Sequence, residues 1–149
     1  MIVDLLRSDL SRVCKPFTVI VSALCAVETF ATVNHLTSTI EADLKEECDV
    51  VDLLRATFPS GSVTGAPKIR AMEVIDQLER SKRGPYCGAI GYFGYDGRVD
   101  SSVAIRIIVS EGEQWRFFAG GGITWPSVAA EEYEETMVKA KGIMEALRR

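Results

Sequence analysis

The sequence predicts an α+β protein. Four stretches carry apolar residues at helical spacing, others carry the Val, Ile, Thr and Phe patterning of strands, and the two kinds are mixed without β-α-β alternation. No internal repeat, low-complexity run or flexible linker divides the 149 residues, so residues 1–149 read as one piece of one domain.

The first element is MIVDLLRSDLSRV, in which Val3, Leu6, Leu10 and Val13 recur at helical spacing. No Ser, Thr, Asp or Asn precedes it to satisfy the first backbone N–H groups, so it reads as a helix cut in its middle and taken from a larger protein. The segment FTVIVSALCAVETFATVNHLTSTI predicts two or three strands. Asp49 then has the position of an N-cap for VVDLLRATF, which stops at Pro59. A glycine-rich loop, GSVTGAPK, leads to a helix beginning near Pro67, since proline is well tolerated in a first helical turn. Ala71, Ile75 and Leu78 form its apolar edge, and the run RSKRGP closes it. From Gly88 to Gly122 the pattern predicts a three-stranded antiparallel meander: GAIGYFGY, a turn at Asp96-Gly97, SSVAIRIIVS, a turn at EGEQ, and WRFFAGGG. The last segment, from a capping Ser127 to Arg149, spaces Tyr133, Met137, Ala140, Met144 and Leu147 as an amphipathic helix.

With 17 Lys and Arg against 21 Asp and Glu, the net charge of −4 supplies no electrostatic reason for a nucleic-acid partner. A hydrophobic share of 47% is too high for intrinsic disorder. The longest uncharged apolar stretch, Pro16 to Val27, falls short of the roughly 20 residues of a membrane-spanning helix. Cys14, Cys25, Cys48 and Cys87 form no C-x-x-C pair, and Asp4 and Arg7 argue against a secretory leader. Reduced thiols and a cytoplasmic location are therefore expected.

Several constellations can carry chemistry. Glu132 and Glu135 occupy one flank of the last helix, where paired carboxylates suit Mg²⁺, a hard cation that keeps room in its shell for anionic substrate oxygens. Acidic residues in a first turn also complement the helix dipole, and Glu135 can pair with Lys139. On pattern alone this solvated-face reading is favoured. The loop GSVTGAPK enters a helix N-terminus with Ser62 and Thr64 as hydroxyl donors, and in AGGGI the glycines Gly120, Gly121 and Gly122 permit close backbone approach; either can bind an anion or be a tight turn. Lys68 lacks the neighbours of a nucleotide P-loop lysine. Arg106, inside the apolar run VAIRIIV, requires an anionic partner, which is a structural carboxylate or a substrate carboxylate. His35 is the sole histidine and so the sole imidazole available for proton transfer, although a strand histidine is more often simply packed; Tyr86 carries the same ambiguity. No Ser-His-Asp, Cys-His or zinc-ligand spacing is present. The residues suit holding a small polyanion with a divalent metal better than attacking it.

Four strings in order make a specific match: FPSGSVTGAPKIRAMEVIDQLE, KRGPYCGAIGYFGYDGRVDSSVAIR, AGGGI and EEYEETMVKAKGIMEAL. Together they resemble the C-terminal part of the chorismate-binding enzymes, a family that includes anthranilate, isochorismate and salicylate synthases, and the resemblance covers essentially the whole chain. LCAVETFATVNHLTSTI and KRGPYCGAIGY are more similar to the aminodeoxychorismate-forming branch than to the anthranilate-forming one. The resemblance implies the C-terminal portion of the anthranilate synthase component I-like fold, an antiparallel sheet with flanking helices, truncated on its N-terminal side. It implies Mg²⁺ as cofactor, with Glu135 as a ligand and Glu132 ligating directly or through water, which reverses the solvated-face reading. It assigns Arg106 and Tyr86 to the enolpyruvyl carboxylate of chorismate, Gly120 and Gly122 as backbone donors, Ser62 to the substrate, and His35 to assisting departure of the C4 hydroxyl.

Ser8, Asn34, Ile107 and Thr124-Trp125-Pro126 depart from the usual family residues. None is an assigned site residue, but Trp125 lies between the glycine run and the glutamate helix. The family's further metal-binding glutamate, its general acid/base and the nucleophilic lysine of the aminodeoxychorismate branch lie upstream of the matched region. The resemblance therefore implies a parent enzyme that converts chorismate and ammonia, delivered by a glutamine amidotransferase subunit or domain, into 4-amino-4-deoxychorismate for para-aminobenzoate and folate synthesis. The chain alone is expected to be inactive and, with sheet edges and apolar faces uncovered, prone to self-association. An anthranilate-forming enzyme of tryptophan synthesis and a non-catalytic remnant remain the alternatives.

Overall fold

The computed structural model describes residues 1–29 and 34–148. Helix α1 (Ile2–Ser11) starts at Met1 without a side-chain cap. The chain then passes residues 43–45 in antiparallel fashion, with the Lys15 N–H donating to the Asp43 carbonyl (2.8 Å) and the Lys45 N–H to that of Val13 (3.0 Å). Between these segments β1 (Ile20–Thr29) and β2 (Asn34–Glu41) form an antiparallel hairpin running from Ile20↔Glu41 to Thr29↔Asn34. These are two of the two or three strands expected there; residues 30–33, which join them, lie outside the described residues.

Asp49 caps α2 (Val50–Thr57) as its position predicts. Its carboxylate accepts from the N–H groups of Val51 (2.8 Å) and Asp52 (3.0 Å), while the Asp52 carboxylate accepts from the Asp49 N–H (3.2 Å). The Asp52 and Val51 N–H groups stabilise the ionised form and hold the Asp49 carboxyl below its ordinary value. The glycine-rich loop makes one 3₁₀ turn (Gly61–Val63) before α3 (Lys68–Leu78), with Pro67 at its N-cap.

Asp9, 7% exposed, ties these pieces together. Its Oδ1 accepts from Arg12 Nη2 (2.9 Å) and its Oδ2 from Lys68 Nζ (2.7 Å). Arg12 also donates to the Ala56 carbonyl, and Lys68 to that of Thr57 (3.4 Å). A carboxylate this buried is tolerable only with cations and donors around it, so one charge cluster joins α1, α2 and the start of α3. Lys68 is thereby an anchor under the loop. Gly61 sits directly on α1, where a Cβ would come within 3.1 Å of Leu5 Cδ1.

Strands β3 (Ala89–Phe93) and β4 (Val99–Val103) pair from Ala89↔Val103 to Phe93↔Val99 around the Asp96-Gly97 turn, with Gly97 at a φ of 83°. The ladder continues one step further, the Cys87 N–H donating to the Ala104 carbonyl (2.8 Å) and the Ala104 N–H to that of Gly88 (2.9 Å). Strands β5 (Ile108–Glu111) and β6 (Gln114–Phe117) form a second hairpin closed at Glu111↔Gln114, with Gly112 at a φ of 63°. The expected meander is not formed, because SSVAIRIIVS is not one strand. At residues 104–107 the Ile105 N–H turns back to the Val103 carbonyl (2.9 Å), Arg106 adopts a φ of 54°, and the chain changes partners. The β-branched run carries no glycine or proline to mark this break.

Helix α4 (Ala129–Ala146) has Val128, not Ser127, at its N-cap and no side-chain cap; residue 149, the end of the expected span, lies outside the described residues. The Ser127 hydroxyl instead donates to Glu132 Oε1 and accepts from the Thr124 N–H (2.9 Å). Glu132, Thr136, Lys139, Ala140, Ile143 and Met144 form the inward face, so the expected apolar stripe holds at Ala140 and Met144, whereas its Tyr133 is 64% exposed. Among the described residues the buried apolar side chains are Cys14, Ala56, Ala104 and Ala140, all small. The chain exposes 11574 Å², whereas a compact monomer of its length exposes roughly 7,500 Å². No helix among the described residues is long and apolar enough to cross a membrane.

Candidate functional site

The site is strung along the glycine run that follows β6. Phe118 stacks on Tyr86, with ring centroids 5.4 Å apart and an interplanar angle of 21°. Two residues on, a Cβ on Gly120 would lie 3.5 Å from the Tyr86 hydroxyl oxygen. Tyr86 is also faced by the Arg83 guanidinium, 5.9 Å from the ring centroid. Arg83 in turn holds both Glu79 carboxylate oxygens, through Nε (2.9 Å) and Nη2 (2.6 Å), and donates through Nη1 to the Val63 carbonyl of the glycine-rich loop (2.8 Å). Burial pushes the Tyr86 phenol above its ordinary value, so it remains a protonated donor through the neutral range. Burial likewise pushes the Cys87 thiol up, so it is no activated nucleophile.

One residue further along, Gly121 lies against both glutamates: a Cβ there would meet Glu132 Oε2 at 3.1 Å and Glu135 Oε1 at 3.5 Å. A side chain at this position would press on the Glu132 carboxylate, which would have to give by a few tenths of an ångström, whereas glycine lets the backbone run this close to both. Glu132 Oε1 is held by Ser127, but its Oε2 is buried with no hydrogen-bond partner. An orphaned buried carboxylate oxygen is costly unless a cation or donor arrives. Two carboxylates converging on one glycine, one oxygen unpaired, fit a Mg²⁺ ion that draws its other ligands from water and substrate. Among the described residues no group of three or more His, Cys, Asp or Glu side chains could hold a metal, so these two glutamates make at most part of a ligand set. Glu135 Oε1 also pairs with Lys139, the contact of the solvated-face reading, so the same carboxylate bears both features.

The other sequence-derived residues are placed unevenly. Arg106 is exposed and stands two residues past Ala104, at the end of the β3–β4 ladder from which Tyr86 also projects. Its position is a loop between ladders, not the strand interior expected. Ser62 lies in the 3₁₀ turn with its Oγ 2.7 Å from that of Ser60, one residue from the Val63 carbonyl that Arg83 holds. Nothing lies within 4 Å of where a Cβ on Gly122 would be, so of the three glycines the middle one, to which the resemblance assigns no role, is the one packed on the carboxylates. His35 is exposed in the β1–β2 hairpin opposite Glu28. A hollow of about 420 Å³ opens at the Tyr86 end, lined by Thr64, Met72, Arg83, Tyr86 and Cys87 among others, and another of about 600 Å³ is lined by Leu54, Phe58 and Ile90 among others; neither is lined by Glu132 or Glu135.

Glu132 and the exposed Glu135 lie beside the glycine run, and the Tyr86 phenol at its other end is faced by Arg83 rather than by Arg106, the guanidinium that the resemblance assigns. Residues 1–145 match the chorismate binding enzymes, and the chain belongs to that family. It is 48% identical to aminodeoxychorismate synthase component 1 of Salmonella typhimurium over 99% of this chain and 32% of that protein. It is 43% identical to anthranilate synthase component 1 of Aquifex aeolicus over 99% of this chain and 30% of that protein. Among solved structures, anthranilate synthase component I from Streptococcus pneumoniae TIGR4 matches with a TM-score of 0.87 at 45% identity, over 95% of this chain and 32% of that one. The chain thus has part of the anthranilate synthase component I fold, and it spans about a third of the length of these relatives.

Proposed function

We propose that residues 1–149 are the C-terminal portion of the chorismate-binding domain of an aminodeoxychorismate synthase, which converts chorismate and ammonia into 4-amino-4-deoxychorismate in the cytoplasm. The observation that carries this reading is the orphaned Glu132 Oε2 beside Glu135 Oε1 at Gly121, one residue from the glycine that faces the Tyr86 hydroxyl. The higher identity to the Salmonella relative than to the Aquifex one supports the branch.

In this reading Glu132 and Glu135 hold Mg²⁺, which supplies positive charge to neutralise a substrate carboxylate when bound. The Tyr86 phenol O–H and the Arg106 guanidinium N–H groups donate hydrogen bonds to the enolpyruvyl carboxylate. Backbone N–H groups at Gly120 and Gly122 complete that grip, and Ser62 contacts the substrate from the glycine-rich loop. His35 assists departure of the C4 hydroxyl. The amidotransferase that releases ammonia from glutamine is a separate subunit or domain. The surface exposed beyond that of a compact monomer, roughly 4,000 Å² on the area scaling used above, is the face that the remaining two-thirds of the family fold would cover.

The test is reconstitution. The chain is co-expressed with the N-terminal two-thirds of the Salmonella relative, and the purified pair is titrated with Mg²⁺ and chorismate in a calorimeter, then assayed with ammonia. Binding that requires Mg²⁺, formation of 4-amino-4-deoxychorismate by the pair and no turnover by the chain alone are expected. A folded pair that binds neither ligand would refute the reading. Because the nucleophilic lysine comes from the Salmonella part, the branch is read from a second pair made with the N-terminal two-thirds of an anthranilate synthase component 1. Faster release of anthranilate and pyruvate by that pair than formation of 4-amino-4-deoxychorismate by the first would transfer the chain to the anthranilate branch, which its 45% identity to the Streptococcus structure keeps in view.

A further inference from the structure

Arg83 entered the sequence only as part of the basic run that ends α3, yet among the described residues it joins Glu79, the glycine-rich loop and Tyr86 at once. Its Nε and Nη2 are taken by Glu79, its Nη1 by the Val63 carbonyl, and its guanidinium faces the Tyr86 ring. With those donors engaged and its charge neutralised by Glu79, it is badly placed to bind an anionic ligand itself. What it does hold is a spacing. Val63 belongs to the loop carrying Ser62, and Tyr86 carries the phenol at Gly120; the two lie more than twenty residues apart in the chain.

We propose that Arg83 is a positioning residue, a strut that sets the glycine-rich loop and Tyr86 at one fixed separation so that both meet the same substrate. The inference rests on the reading of Ser62 and Tyr86 as substrate contacts. A planar fork with several donors can hold a carboxylate and a carbonyl together, and a lysine ammonium cannot reproduce that geometry. Side-chain exposure of 24% at Arg83 keeps the strut partly shielded from competing water. The guanidinium also favours the phenolate of Tyr86, opposing the effect of burial.

The test uses Arg83→Gln, Arg83→Lys and, as a variant that retains the cation and disturbs folding less, Glu79→Gln. In the chain itself, amide exchange at Val63 and a ¹³C-tyrosine NMR titration of Tyr86 are read without any ligand. Arg83→Gln should speed Val63 exchange about tenfold or more and move the Tyr86 titration upward. Arg83→Lys should leave the titration near that of the unsubstituted chain yet still loosen Val63, and Glu79→Gln should loosen Val63 to a lesser extent. In the reconstituted pair, Arg83→Gln should raise KM for chorismate about tenfold with little change in kcat, the signature of lost ground-state positioning. Unchanged Val63 exchange in both Arg83→Gln and Glu79→Gln, or an unchanged KM despite a loosened loop, would overturn the strut. Failure of the unsubstituted pair to bind chorismate would remove the functional reading instead, with the two ligand-free measurements still deciding whether Arg83 braces the loop.

Discussion

At Gly120 the site is braced: Tyr86 is stacked on Phe118 and faced by an Arg83 whose own donors are taken. At Gly121, one residue on, a buried oxygen of Glu132 has no partner and Glu135 shares its charge with Lys139. Under the proposed function, the contrast follows from what each end is for. A group that grips a fixed carboxylate gains from being immobilised before the substrate arrives, whereas a metal site must leave oxygens unspent for the ion. The braced end stands on a second network beneath it, since Lys68 pins the base of the glycine-rich loop to Asp9.

The largest test of that contrast strikes the support of the braced end. Asp9→Ala removes one partner of a buried charge cluster and should cost about 3–5 kcal/mol, read from urea unfolding followed by far-ultraviolet circular dichroism. A loss below about 1 kcal/mol would show that Asp9 does not carry the loop. At the open end Glu132→Gln should behave in the opposite way. Neutralising a carboxylate whose Oε2 is buried without a partner, only its Oε1 being held by Ser127, should raise the metal-free Tm, while affinity for Mg²⁺ falls by about tenfold or more, measured calorimetrically on the reconstituted pair. A lowered Tm with Mg²⁺ binding intact would erase the distinction between the two ends.

A smaller effect concerns the phenol. The folded-state pKa of Tyr86 is raised above its ordinary 10.0, so its contribution to stability is complete below that value and is lost as pH rises through the folded pKa. Tyr86→Phe should therefore show a shallower loss of stability between about pH 9 and pH 11 than the unsubstituted chain. The smallest change lies outside both ends. Asp49 has a depressed folded-state pKa, so its contribution is present above its ordinary 3.8 and is lost as pH falls through the folded pKa. Asp49→Ala should lower Tm at neutral pH, with the difference from the unsubstituted chain shrinking as acid protonates the cap.

Much of the local architecture was legible because its energetics are local. The Asp49 cap, the Asp96-Gly97 turn and the two-residue turn at Gly112 each depend on groups within a few residues. Glu132 and Glu135 were recognisable as a pair from their spacing alone. Asp9 gave a faint signal, lying four residues after Leu5 and three after Leu6 on the packed side of α1. Arg83 gave none, as a basic residue in a loop looks the same whether it is solvated or bracing.

By itself the sequence determined where helices and turns form, the acidic pair, the glycine run and, through its four strings, the family. Tertiary structure alone decided that Glu132 rather than Tyr133 turns inward, that Gly121 receives both carboxylates, that the VAIRIIV run breaks at Arg106, and that Lys68 and Arg83 serve as anchors. Those outcomes depend on partners far along the chain, 59 residues apart for Lys68 and Asp9 and 20 for Arg83 and Val63. No window of helical or strand periodicity spans such separations, so only the folded chain could choose among them.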